Sequence, residues 1–184
     1  DITYQNGTLT VTAATGNELD ITDYSGVYDS EAHGITVENA IAGDTVWYSL
    51  TNDGTDWTQT NPTFTDVTAE TTVYVKVTNA NYSDRLGQGT VTITVRPISI
   101  LAGSDSKTYD GAALTSNTWT LSAGTLAGTE TISAVTVTGS QTVVGSSSNV
   151  PSGAVILDGD TNVTSNYDIT YQNGTLTVTA ATGN

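Results

Sequence analysis

The chain has 184 residues, with 19 Asp plus Glu against four Lys plus Arg, a formal net charge of −15. A charge of that sign repels nucleic-acid phosphates and anionic membrane surfaces, so neither nucleic-acid binding nor membrane insertion of this segment is expected. The absence of cysteine excludes a disulfide framework and thiolate metal sites, and short β-branched runs without a 3.6-residue apolar period argue against helix and for an all-β chain.

The chain opens on the stretch DITYQNGTLTVTAATGN, Asp1 to Asn17, and the same letters return at Asp168 to Asn184, an offset of 167 residues (168 − 1). Identity at that distance marks a tandem array sampled for slightly more than one period. Each copy reads as a hairpin. Asn173-Gly174 carries the chemistry of a type I′ turn, which needs positive φ at both central residues. Beyond it Leu176 and Val178 alternate with threonines, the period of a strand with one dry face. Two strands alone are unstable in water. Residues 1–17 are therefore expected to be the terminal hairpin of a preceding repeat, held by strand addition to a neighbouring copy in cis or in trans. Assembly would then rest on Leu9 and Val11 in the first copy and on Leu176 and Val178 in the second.

A first β domain is expected over 18–95. It runs through Leu19-Asp20-Ile21-Thr22, the turn-rich Tyr24 to Asp29, Gly34 to Val37, Thr45 to Leu50, and the alternating Val73-Tyr74-Val75-Lys76-Val77 with its valines inward. Gly89 to Val95 closes it. Arg96-Pro97 is a short, stiff joint. A second β domain is expected over 96–184, with strands at 98–101, 118–121, 131–138 and 154–157 and a closing hairpin at 168–179. The two domains match each other. Tyr28-Asp29 recurs as Tyr109-Asp110 at an offset of 81 (109 − 28), and Asn81-Tyr82 as Asn166-Tyr167 at 85 (166 − 81). The sequence leaves open whether each small domain is a β-sandwich, immunoglobulin-like or otherwise, or a β-grasp-like sheet, because strand order is invisible to periodicity.

These residues resemble the YDG and MBG repeat domains found in tandem in large bacterial surface proteins. The second domain carries Ser106-Lys107-Thr108-Tyr109-Asp110-Gly111, then Val137 to Gln141, then Asn166-Tyr167-Asp168-Ile169-Thr170-Tyr171 with Asn173-Gly174-Thr175-Leu176. The first resembles the relative that opens with Tyr24-Ser25-Gly26-Val27-Tyr28-Asp29 and continues Ala32-His33-Gly34-Ile35. There Ser30 stands where the second domain has Gly111, so a different turn is expected. The resemblance spans almost the whole chain. It implies an extracellular, cell-surface, all-β adhesin-like module that forms stalks, spacers or filament segments. It supplies no catalytic residue.

Nor does the chain suggest an enzyme by itself. His33 is the only histidine and has no evident nucleophile, so a structural place beside Gly34 is expected. No cofactor is implied; the ion that acidic turns could hold is calcium, at Asp158, Asp160 and Asn162, with a weaker version at Asn52 to Asp56. Neither has the spacing of an EF-hand, and plain turns use the same residues. Trp47 and Trp57 could present a platform for a host glycan or protein, although large rings in a small sandwich are expected to fill its core. Lys76 and Lys107 lie where a buried isopeptide staple is not expected. The sequons at Asn6, Asn81, Asn162 and Asn173 arise readily in a Thr-rich chain. The reading is a repeat unit that contacts neighbouring copies of itself, with a self-assembling filament subunit or a ligand-binding adhesin module as alternatives.

Overall fold

The protein is all-β. A computed structural model describes residues 2–183. In chain order the strands are β1 (Asp20–Thr22), β2 (Tyr24–Val27), β3 (Thr36–Glu38), β4 (Thr45–Ser49), β5 (Thr68–Asn79), β6 (Tyr82–Thr94), β7 (Arg96–Ala102), β8 (Asp105–Thr108), β9 (Trp119–Ala123), β10 (Thr131–Thr138), β11 (Gly145–Asp158), β12 (Thr161–Asn162), β13 (Tyr167–Gln172) and β14 (Gly174–Thr179). The helical content among the described residues is one 3-10 turn, Thr164–Asn166.

The chain forms two compact units. The first comprises Asp1–Ser25, Ala32–Phe64 and Thr68–Thr92; the second comprises Gly26–Glu31, Thr65–Val67 and Ile93–Asn184. The units part between Thr92 and Ile93, and two short segments from earlier in the chain belong to the second unit.

The first unit contains the antiparallel pair β1–β3 and a four-stranded sheet in the order β2-β6-β5-β4. Alternation on β5 works as the sequence suggests: Val73, Val75 and Val77 have no exposed surface, and Val91 and Ile35 are buried with them. Burying a valine side chain contributes about 1.5–3 kcal/mol each, the main favourable term available to so small a unit.

In the second unit one sheet runs β10-β11-β14-β8, with β12 against β11, and the other runs β13-β7-β9. The 14-residue β11 divides its length: its first half pairs with β14 and its second half with β10, and its last two residues also pair with β12. The unit closes with two parallel pairings, β13 on β7 (Tyr167↔Arg96 through Gln172↔Leu101) and β14 on β8 (Leu176↔Asp105 through Thr179↔Thr108).

That topology corrects the closing hairpin. β13 and β14 are consecutive but lie in different sheets, and neither Asn173 nor Gly174 has a positive φ. The chain crosses between sheets there, where a type I′ turn would have paired the two strands. Glycine is required for a different reason. A Cβ at Gly174 would lie 2.3 Å from the Gly103 carbonyl oxygen and 2.5 Å from that of Ala102, so only glycine lets the crossing chain approach so closely.

Candidate assembly interface

β14 places Leu176 and Val178 on the dry face, where they have 0% and 1% exposure and pack with Leu114. It sits between β8 and the first half of β11, so its backbone is paired on both edges. Behind it the buried Asn149 side-chain amide donates to the carbonyls of Gly103 (2.9 Å) and Ser116 (3.0 Å), tying the loops after β7 and before β9.

The identical segment near the N-terminus behaves otherwise. Residues 2–13 form no strand and are exposed throughout, with Leu9 at 100% and Val11 at 98%. The expected N-terminal hairpin is thus absent among the described residues. The first pairing downstream is a parallel bridge from Ala14 to Tyr82, with Ala14 N–H donating to Asn81 O and Ser83 N–H to Ala14 O. A Cβ at Gly7 would meet nothing within 4 Å, whereas one at its counterpart Gly174 would be wedged against two carbonyls. One sequence takes two states because only the second copy has β7, β8 and β11 to dock against.

The second unit also encloses a buried carboxylate. Glu130 accepts hydrogen bonds from the hydroxyls of Tyr28 (2.5 Å) and Tyr167, and the two rings meet edge to face at 5.7 Å. Burial first, and then the Glu130 carboxylate, pushes the Tyr167 phenol up to about 12 and the Tyr28 phenol higher still. Beside them Asn166 accepts from Val67 N–H and donates to Asp66. Arg96 donates to Tyr28 O and to Thr125. The first unit has a buried carboxylate of its own. Asp44 is bonded by Ile41 N–H, Asn79 and Arg85, and these outweigh the opposing effect of burial to hold its carboxyl below the usual range.

The remaining sequence candidates fall in ordinary places. Asp158 pairs with Thr161 across a two-residue hairpin that carries Asp160 and whose Gly159 alone has positive φ, the pattern of a type II′ turn, and Asn162 Oδ1 caps Thr164 N–H. Among the described residues no three His, Asp or Glu side chains gather to hold a metal. In the loop 52–56, Asp53 accepts from Thr51 and Thr55 and Asp56 from Ser49 and Thr51, and these donors hold the Asp53 carboxyl below its ordinary range. His33 stacks on Tyr24 at 3.9 Å and pairs its backbone with Phe64, a structural role. Lys107 pairs with exposed Asp110.

The tryptophans depart from the core-filling expectation. Trp47 and Trp57 are both half-exposed, because the inward positions of this sheet are taken by valines. Trp47 donates its indole N–H to Thr78. Trp57 lies under the Lys76 ammonium, 4.8 Å from the ring centroid, and borders an open cleft of about 470 Å³ with Asn52, Asp53, Tyr74 and Gln88. An aromatic face ringed by amides and a carboxylate has the chemistry to contact a sugar.

Sequence reasoning missed Glu130, whose only signal was its place in a short turn, and missed that Tyr28 and Tyr109 differ in burial: 2% against 45% exposed. Comparison with protein-family models and with curated proteins gave no match for this chain.

Proposed function

We propose that the chain is a structural repeat unit, a spacer or stalk segment of a long extracellular bacterial surface protein, whose partners are neighbouring copies of the same repeat. The observation that carries this reading is the recurrence of one backbone pattern at two places in the chain. Tyr28 N–H donates to Thr94 O (2.9 Å), and Tyr109 N–H to Thr179 O (2.8 Å). Asp29 accepts from Glu31 N–H and Asp110 from Ala112 N–H, both at 3.0 Å. The left-handed residue that follows is Ser30 in one and Gly111 in the other, so the turn expected to differ is the same. His33 bridges Phe64 as Leu114 bridges Gln141. Repeated units of this kind supply reach along one axis.

Chains of one, two and three copies, joined through the shared 17-residue segment, test the reading by small-angle scattering. The maximum dimension should rise in equal steps with copy number; a globule growing only as the cube root of mass would refute a spacer.

A second reading is favoured by the contrast between the two copies of that segment. Leu9 and Val11 stand exposed in an extended chain whose twin is fully docked, so residues 2–12 of one molecule could replace residues 169–179 of another and build a filament in trans. Light scattering over a concentration series separates the readings: polymers that vanish on deletion of residues 1–17 support exchange, and a monomer at all concentrations refutes it.

A further inference from the structure

The loop Lys107–Ala112 repeats the backbone of Gly26–Glu31 hydrogen bond for hydrogen bond, yet the two tyrosines they carry have different fates. Tyr28 is buried in the second unit, its hydroxyl on Glu130, its ring against Tyr167, its carbonyl held by Arg96. Tyr109, in the same backbone setting, is 45% exposed. The corner that receives Tyr28 also has a twin. Asn166-Tyr167 corresponds to Asn81-Tyr82 at an offset of 85 (166 − 81). In the second unit Asn166 and Tyr167 are buried; in the first, Asn81 is exposed and Tyr82 half-buried, bordering a shallow hollow of about 300 Å³ with Ala13, Ala14 and Ala80. The molecule therefore carries one loop without its corner and one corner without its loop.

We infer that the Tyr109 loop of one copy seats on the Asn81-Tyr82 corner of another, as the Tyr28 loop seats on Asn166-Tyr167. The occupant is a second copy of this chain. The contact is heterologous, loop to corner, and so it propagates head to tail instead of closing a two-fold dimer. Chemistry limits how far the copy goes. At the offset of 85 that links the two corners, Thr45 stands in place of Glu130 (130 − 45), so the Tyr109 contact is made by the rings of Tyr109 and Tyr82 and by the Asn81 amide, with no buried phenol–carboxylate pair. That makes it the weaker of the two seats, suited to a joint that bends. Both loops turn on a left-handed residue two positions after the tyrosine, Ser30 at φ 69° and Gly111 at φ 82°.

This inference rests on the repeat-unit reading, and the test separates the two. A tandem chain is made from residues 1–184 followed by a second 18–184. Tyr109→Ala in its first copy should lower the thermal midpoint by roughly 4 °C or more, whereas the same change in the single 184-residue chain should leave the midpoint within about 1 °C, as expected at an exposed site. Tyr82→Ala in the second copy should then add little to Tyr109→Ala, since both remove one contact. Equal effects of Tyr109→Ala in the single and tandem chains overturn the seat. If scattering shows the tandem chain lengthened while Tyr109 is indifferent, the seat fails and the spacer stands; if the tandem chain does not lengthen, the spacer fails as well.

Discussion

Leu176 and Leu9 occupy the same place in the same 17-residue sequence, so replacing each by alanine measures tertiary environment with local sequence held constant. Leu176 has no exposed surface, packs with Leu114 and Val178, and lies opposite Ser147 on one edge and Asp105 on the other. Its truncation removes the transfer energy of the side chain and leaves a cavity bounded by two sheet strands that cannot collapse, about 3 kcal/mol within the 2–5 kcal/mol range for such sites. Leu9 is fully exposed, and its truncation should fall within about 0.5 kcal/mol of zero. For a unit of about 100 residues, a urea m-value of about 1.5 kcal/mol/M converts the first figure into a midpoint shift of about 2 M. Trp119 is the tryptophan of the second unit, so in a Trp47→Phe, Trp57→Phe background its fluorescence reports that unit alone. Equal shifts for Leu9→Ala and Leu176→Ala would falsify the assignment of one copy as docked and the other as free. A further consequence follows if segments exchange in trans: Leu176→Ala weakens the resident copy while the N-terminal copy keeps its leucine, so oligomers should increase with concentration.

Three other outcomes are expected. Gly174→Ala should destabilise the second unit by about 3 kcal/mol or prevent its closure, because the new methyl meets two backbone carbonyls, whereas Gly7→Ala should be silent in the same urea titration. The second unit should lose stability at alkaline pH: its buried phenols hold their protons above the unfolded value of about 10, so the contribution is complete below pH 10 and is lost as pH rises toward about 12. Tyr28→Phe with Tyr167→Phe should flatten that limb, and a limb unchanged by both would refute the assignment. Calcium at millimolar concentration should leave the thermal midpoint unmoved, since Asp158 and Asp160 lie on a plain hairpin turn; a rise of several degrees would place a site there.

What could be read from sequence was whatever depended on period two. The inward valines of β5 and the inward Leu176 and Val178 of β14 follow from alternation against a core. The exact recurrence of a segment, and the offsets linking Tyr28 with Tyr109 and Asn81 with Asn166, located two copies of one backbone pattern. Environment was not legible. Asn-Gly at 173–174 gives the same signal whether the glycine makes a hairpin turn or lets a crossing chain pass two carbonyls, because both uses reward the missing Cβ. Trp57 gives the same signal in a core or beside a cleft; which applies depends on Val75 and its neighbours having filled the interior first. Glu130, one carboxylate among many in an acidic chain, is distinguished only by two hydroxyls that come from residues 102 and 37 positions away.

The parallel pairing of β13 with β7 bears on how the second unit responds to tension. Strand β7 opens the main run of that unit and β13 with β14 ends it, and six registered pairs join β13 to β7 with both strands running the same way. A pull applied at the start of β7 and at the end of β13 draws these neighbours in opposite directions along their shared axis. The load is then carried in shear across all six pairs together, where an antiparallel hairpin pulled from its open end would unzip one pair at a time. Rupture would require the whole ladder to slip, and Ile98 and Ile100, which have almost no exposed surface, would have to leave the core in the same step.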